Sequence, residues 1–333
     1  MKKFLSFLLA LSFFIIGLSG CDDTSEQPEN EQGITTTATT SASPDVRPAE
    51  DFQYEENSDG TIAITLYTGS DADVVIPDAI NEKEVSSIRW GAFSFQDQLI
   101  SVTIPNTVTV IDSACFQKCK SLKTVVLSEN LVDLGASAFQ YCESLTEITL
   151  PERLTEINPN TFDGCIALKH ITIPNNVSDI KTEAFFNSGL ETITFGNSVL
   201  KIHSSAFSRT PIKSIVLPPS LQIISARAFE DCRNLKSVTL NEGLQEIDTL
   251  AFAGCVNLEE LTIPFTVNSM IRSSVSGCTS FHTLRFEGDA PNNFLIDSIE
   301  ALNLPYTEFT IYYHEGAEGF TSPEWNGHKT TIW

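Results

Sequence analysis

Basic residues are scarce in this chain: Lys and Arg total 20 against 43 Asp and Glu, a formal charge of −23. Residues 92–333 alone hold 15 basic and 27 acidic side chains, a balance of −12. Nucleic-acid binding rests on clustered cations meeting phosphates, so this balance argues against it, and against anionic lipid headgroups. Beyond the N-terminus no segment reaches the roughly twenty consecutive apolar residues of a transmembrane helix. Histidine is equally sparse. His170, His203, His282, His314 and His328 fall at unrelated positions, none at metal-ligand or triad spacing from a partner. There is no Gly-rich phosphate loop and no nucleophile elbow. Adjacent carboxylates such as Glu259-Glu260 read as surface charge and not as a glycosidase pair. With so little chemistry on offer, the sequence reads as non-catalytic, with no cofactor and no metal.

What is present is a period. Phe93, Phe116, Phe139, Phe162, Phe185, Phe207, Phe229 and Phe252 recur at steps of 22 or 23 residues, and Val275 takes the next place. A fixed period in the twenties marks a solenoid, in which each coil buries its apolar face against its neighbours. Taking Phe as position zero, position −1 is small (Ala92, Cys115, Ala138, Thr161). Position +3 carries Cys119, Cys142, Cys165, Cys232, Cys255 and Cys278. An apolar residue follows at +6, or at +5 in the 22-residue coils (Leu99 through Phe281), then inward pairs such as Ile148/Leu150, and further apolar pairs such as Val108/Ile111 close the coil. Thr146-Glu147-Ile148-Thr149-Leu150 alternates with period two, which predicts a short strand with Ile148 and Leu150 inward, ended by Pro151. Stacked strands predict a parallel sheet along one face of a curved rod. The Ala-Phe-x-x-Cys stretch predicts a short helical turn on the opposite side. Coils after Phe185 and Phe207 lack one residue and the cysteine, with Ser188-Gly189 and Thr210-Pro211 there.

Six cysteines at one repeat position raise metal and disulfide readings. A straight ladder cannot converge on the tetrahedral point zinc needs. Disulfides between adjacent coils are geometrically feasible, but each block of three would strand one thiol. Small buried hydrophobes are the preferred reading, with alternative disulfides left open for an exported chain.

The N-terminus carries Lys2 and Lys3, an apolar run from Phe4 to Leu18, then Ser19-Gly20-Cys21, the layout of a secretory signal. Leu18-Ser19-Gly20-Cys21 resembles a bacterial lipobox. That resemblance implies cleavage before Cys21, lipidation of Cys21, and attachment to a membrane. Residues 22–51 are rich in Thr, Ser, Pro and acidic residues with almost nothing to bury, which predicts a disordered acidic tether.

The pattern L-x-x-I-x-I-P-x-x-V-x-x-I-x-x-x-A-F-x-x-C-x-x resembles the BspA-type (Treponema pallidum-type) leucine-rich repeats of bacterial surface proteins, across roughly 51–333. The resemblance implies an α/β solenoid. It would be a right-handed leucine-rich-repeat superhelix with a parallel β-sheet on its concave face, short helical turns on its convex face and an N-terminal β-hairpin cap. The expected segments are signal and lipobox (1–21), linker (22–51), N-terminal cap and first coil (52–90), repeats (91–286) and C-terminal cap (287–333). The family implies an exported protein on the outer surface of the bacterial envelope that acts as an adhesin or surface receptor toward a protein or glycan. A structural envelope spacer and a glycan-capturing lipoprotein for nutrient uptake are the rival readings.

Between the inward residues, two outward columns line the expected sheet, one dominated by Thr. Thr and Ser there suit β propensity, but they also form a hydroxyl-rich face able to hydrogen-bond a ligand. The candidate partner-binding residues are Glu147, Thr149, His170, Thr172, Thr194, Thr239, Glu260, Thr262 and Arg285. Arg285 is the one side chain among them of the kind that usually anchors binding.

Overall fold

The computed structural model describes residues 49–271, 273–291 and 309–333. The signal, Cys21 and most of the expected linker lie outside the described residues. Ala49–Asp51, which the sequence assigns to the linker, forms one turn of 3-10 helix, and the Asp51 carbonyl accepts the Thr68 amide.

The chain from the first hairpin onward is a β-solenoid of about 11 turns. One side of each coil is a strand of two to four residues: Asp73–Val75, Ser101–Thr103, Thr124–Val126 and Glu147–Ile148, continuing through His170–Thr172 to Thr283–Phe286. Neighbours pair in parallel one coil apart, with Val102 opposite Val125 and Ile171 opposite Ile193, in runs that break after Glu147–Ile148, Thr192–Thr194 and Ser237–Thr239. Ile148 and Leu150 are buried while Glu147 and Thr149 are exposed, as the alternation requires. A second side is also a ladder. Two-residue strands such as Val110–Ile111, Asp133–Leu134 and Glu156–Ile157 stack in parallel, with the isoleucine or leucine inward. The sequence showed the apolar pairs of this second side but not that it is β.

The third side carries the phenylalanines. Their rings stack from Phe93 to Phe252 with centroids 5.0 to 5.7 Å apart and planes within 25° of parallel. Tyr67 extends the spine into the N-terminal cap at 5.1 Å. A single apolar cluster runs the length of the rod.

The expected helical turns at Ala-Phe-x-x-Cys are not helices. Residues at −2 and +2 hold positive φ, for example Ala114 at 57° and Lys118 at 60°, which stops helical propagation in either direction. The amides of Ala114, Phe116 and Lys118 donate instead to Ala136, Ala138 and Gln140 of the next coil, at 2.8, 2.8 and 2.7 Å. Lateral bonding thus satisfies on this side what intrahelical bonds would satisfy in a helix.

At the N-terminal end Phe52–Glu56 and Ile62–Tyr67 form an antiparallel hairpin, and the second strand pairs with Lys83–Ile88 to open the ladder. At the other end Thr310–Tyr313 and His328–Ile332 add two parallel strands. Glu324–Trp325 folds back on the last strand through Asn326-Gly327, both at positive φ, the turn chemistry such a hairpin needs.

Candidate recognition surface

The parallel register sets the outward columns. Thr149, Thr172, Thr194 and Thr239 are exposed, as are Glu147, His170 and Glu260, whereas Thr262 and Arg285 are half-buried. The nine expected residues do not form one continuous patch. Glu147, Thr149, His170 and Thr172 meet in a depression of about 770 Å³, floored by Val125 and Ile148 and walled by Glu152 and Pro174. Thr239, Glu260 and Thr262 line a second, of about 470 Å³, with Glu242 and Glu287. There burial and the facing Glu242 carboxylate raise the Glu287 pKa. Thr194 joins neither.

The residues bind one another as much as they face solvent. His170 Nδ1 lies 2.5 Å from Thr192 Oγ1 on the next coil. The Arg285 guanidinium pairs with Glu260 and lies 5.5 Å from the Tyr312 ring centroid, one strand further along. Two valines break the hydroxyl column, Val126 at 58% and Val216 at 70% exposure. Val126 lines the larger depression. An exposed β-branched apolar side chain beside hydroxyls and carboxylates gives that depression both a desolvable and a polar component.

The cysteines lie behind this face, in the core. All seven described cysteines are free and buried. Each thiol at the +3 position donates to the Phe carbonyl of the preceding coil: Cys119 to Phe93 at 3.0 Å, Cys142 to Phe116 and Cys165 to Phe139 at 3.1 Å. Cys232, Cys255 and Cys278 repeat the bond to Phe207, Phe229 and Phe252. Burial pushes the Cys119 thiol up to about 12 and raises Cys142 and Cys165 as well. Cys119, Cys142 and Cys165 are thereby held as neutral thiols, and all six bonds tie coil to coil.

Of the other titratable groups, Asp179 accepts from His203 Nε2 at 2.7 Å and pairs with Lys181. The bonds from His203 and Ser178 hold its carboxyl low, outweighing the cost of its partial burial. His328 is buried against the edge of Phe309, and burial lowers its pKa.

Comparison with curated proteins finds no match. The sequence matches a family model described as BspA type leucine rich repeat region, in six copies, over residues 86–211 and 200–307. Among solved structures it is similar to the leucine rich repeat protein of T. pallidum, at 27% identity and TM-score 0.50, covering 64% of this chain and 91% of that one. It also matches a leucine rich cell surface protein from Faecalibacterium prausnitzii, at 20% identity and TM-score 0.47, covering 83% and 96%. The pneumococcal vaccine antigen PcpA matches at 17% identity and TM-score 0.39, covering 87% and 98%. With the repeat model spanning two thirds of the sequence and the stacked coils bearing out its period, the chain belongs to the BspA type leucine-rich-repeat family.

Proposed function

We propose that this is an exported, lipid-anchored protein that holds a macromolecular partner, a protein, along its strand face, in the manner of an adhesin or surface receptor. The mechanism is multipoint contact with a rigid ladder and involves no covalent step. Cys21 carries the lipid and the acidic segment after it spaces the rod from the membrane.

The observation that carries the reading is the depression around Val126. It joins an exposed valine to Glu147, Thr149, His170 and Thr172, at the junction where the pairing of Thr124–Val126 with Glu147–Ile148 ends and that of His170–Thr172 with Thr192–Thr194 begins. A preorganised face of this kind loses little entropy on binding, so modest contacts add up. Glu260 and Arg285 satisfy each other, and the reading gives them a lesser part.

The test is crosslinked capture on intact cells by the lipidated chain, compared with Val126→Arg and Thr172→Arg. Capture should fall by about tenfold or more in each, the loss of one buried contact. Equal capture by all three would remove the strand face from recognition. Protease treatment of whole cells, which should degrade the rod, tests the outer-surface location separately.

A further inference from the structure

The +2 position of each turn is a demanding one. Its residue stands at positive φ in every described coil, and glycine fills it at Gly164, Gly254 and Gly277. The first three coils place Phe95, Lys118 and Tyr141 there instead, at φ of 62°, 60° and 59°. Bulky side chains in this region carry a conformational cost that glycine avoids. Neither ring repays it by joining the core: Phe95 is 62% exposed and Tyr141 38%.

The rings are nevertheless held in place. The Tyr141 ring lies against Gly164 of the next coil, where any Cβ would overlap its Cδ1. The Asp163 charge beside the phenol raises the Tyr141 pKa. Lys118 Nζ sits 5.0 Å from the Phe95 centroid. A second row runs beside the first at +4: Asp97, Lys120 and Glu143, with Lys120 bound to Glu143 at 3.1 Å. The two rows enclose an open depression of about 380 Å³ lined by these six side chains. Both rows end at the next coil, where Gly164 and Ile166 occupy the two positions.

We infer that this depression is a binding site for an uncharged glycan, on a different side of the rod from the protein-binding face proposed above and independent of it. The rings offer flat apolar faces to the C–H side of a pyranose, and carboxylates and ammonium groups flank them for its hydroxyls. Two lysines balance two carboxylates, so the site favours no net ligand charge. The spine beneath advances by 5.0 and 5.3 Å over these two coils, so the rings stand as two platforms with polar ground between them. A protein partner would instead favour one contiguous apolar patch, which Lys118 interrupts.

The full chain is titrated with cellohexaose, chitohexaose and mannohexaose, with a sulfated oligosaccharide as the charged control. At least one neutral hexasaccharide should bind. Phe95→Gly and Tyr141→Gly should each weaken it by about tenfold or more without lowering Tm, because glycine fits this backbone without strain. Asp97→Asn should weaken it less, and Val126→Arg on the strand face should leave it unchanged. Absence of binding to all three, retention in the Phe95→Gly/Tyr141→Gly double variant, or preference for the sulfated control would each overturn the proposal.

Discussion

The 23-residue coils and the two shorter ones solve the same junction differently. In a regular coil, Cys119 and Leu122 close one turn: the Leu122 amide donates to the Cys119 carbonyl at 3.1 Å and the thiol reaches back to Phe93. In the coil of Phe185, one residue fewer brings the backbone against its neighbour, and the Gly189 amide donates directly to Cys165 of the preceding coil at 3.1 Å. Glycine is required there because a Cβ would overlap the Ile166 carbonyl oxygen. Ser188 stands in the cysteine's place, and its buried hydroxyl makes no hydrogen bond. In the coil of Phe207, Thr210 turns its hydroxyl to its own Phe207 carbonyl at 2.8 Å. Coil length can therefore change where the thiol bond is given up. The aromatic spine, by contrast, passes through both kinds of coil without a break.

That contrast yields the largest expected effect. Phe139 lies among regular coils and Phe185 in a short one, yet each is fully buried between two parallel rings. Phe139→Ala and Phe185→Ala should each cost about 3–5 kcal/mol in denaturant titration, the range for emptying a large buried site. A loss below about 1 kcal/mol at Phe185 alone would show that the short coils have left the common core.

A smaller effect separates the coils by pH. The unfolded thiols ionise near 9.0, whereas burial holds the folded Cys119 thiol at about 12 and raises Cys142 and Cys165 too. A folded pKa above the unfolded one means full stability below about pH 9, lost progressively as pH climbs toward the folded value. Each such thiol adds a slope of about 1.4 kcal/mol per pH unit in that window. Cys142→Ala should make the alkaline limb of a stability curve shallower by that amount, whereas Ser188→Ala should leave it alone. An unchanged limb in Cys142→Ala would mean that the thiol ionises in the folded state as readily as in the unfolded chain.

Legibility in the sequence followed the same division. The spine could be read because each coil spends one large residue on it at a fixed interval. The second ladder could not, because strands as short as Val110–Ile111 turn only one side chain inward and leave no alternation to detect. Positive φ at Lys118 and Tyr141 was likewise hidden, since only the glycines of other coils at that position hint at it. The pairing of Arg285 with Glu260 was hidden for want of register. Glu260 lies 25 residues earlier, one 23-residue coil plus two, which is the diagonal neighbour on a parallel ladder. The exposed residues of the candidate surface were identified from period two, but their division into two depressions depends on details of packing that period does not encode.

The smallest prediction turns the comparison around. If the thiol bond is what a regular coil gains from its cysteine, the short coil should gain from losing the hydroxyl that fails to replace it. A buried hydroxyl without a partner forfeits its hydration and receives nothing in return. Ser188→Ala removes that cost and leaves the stacked Phe185 and the Gly189 contact untouched, so stability should rise by about 1 kcal/mol. The same change at Cys142 should lower stability, because there the side chain holds a bond to Phe116. Urea titration of both variants gives the two signs directly. A loss of stability in Ser188→Ala would show that the hydroxyl does bond in solution and that the short coil carries the cross-coil tie in another form.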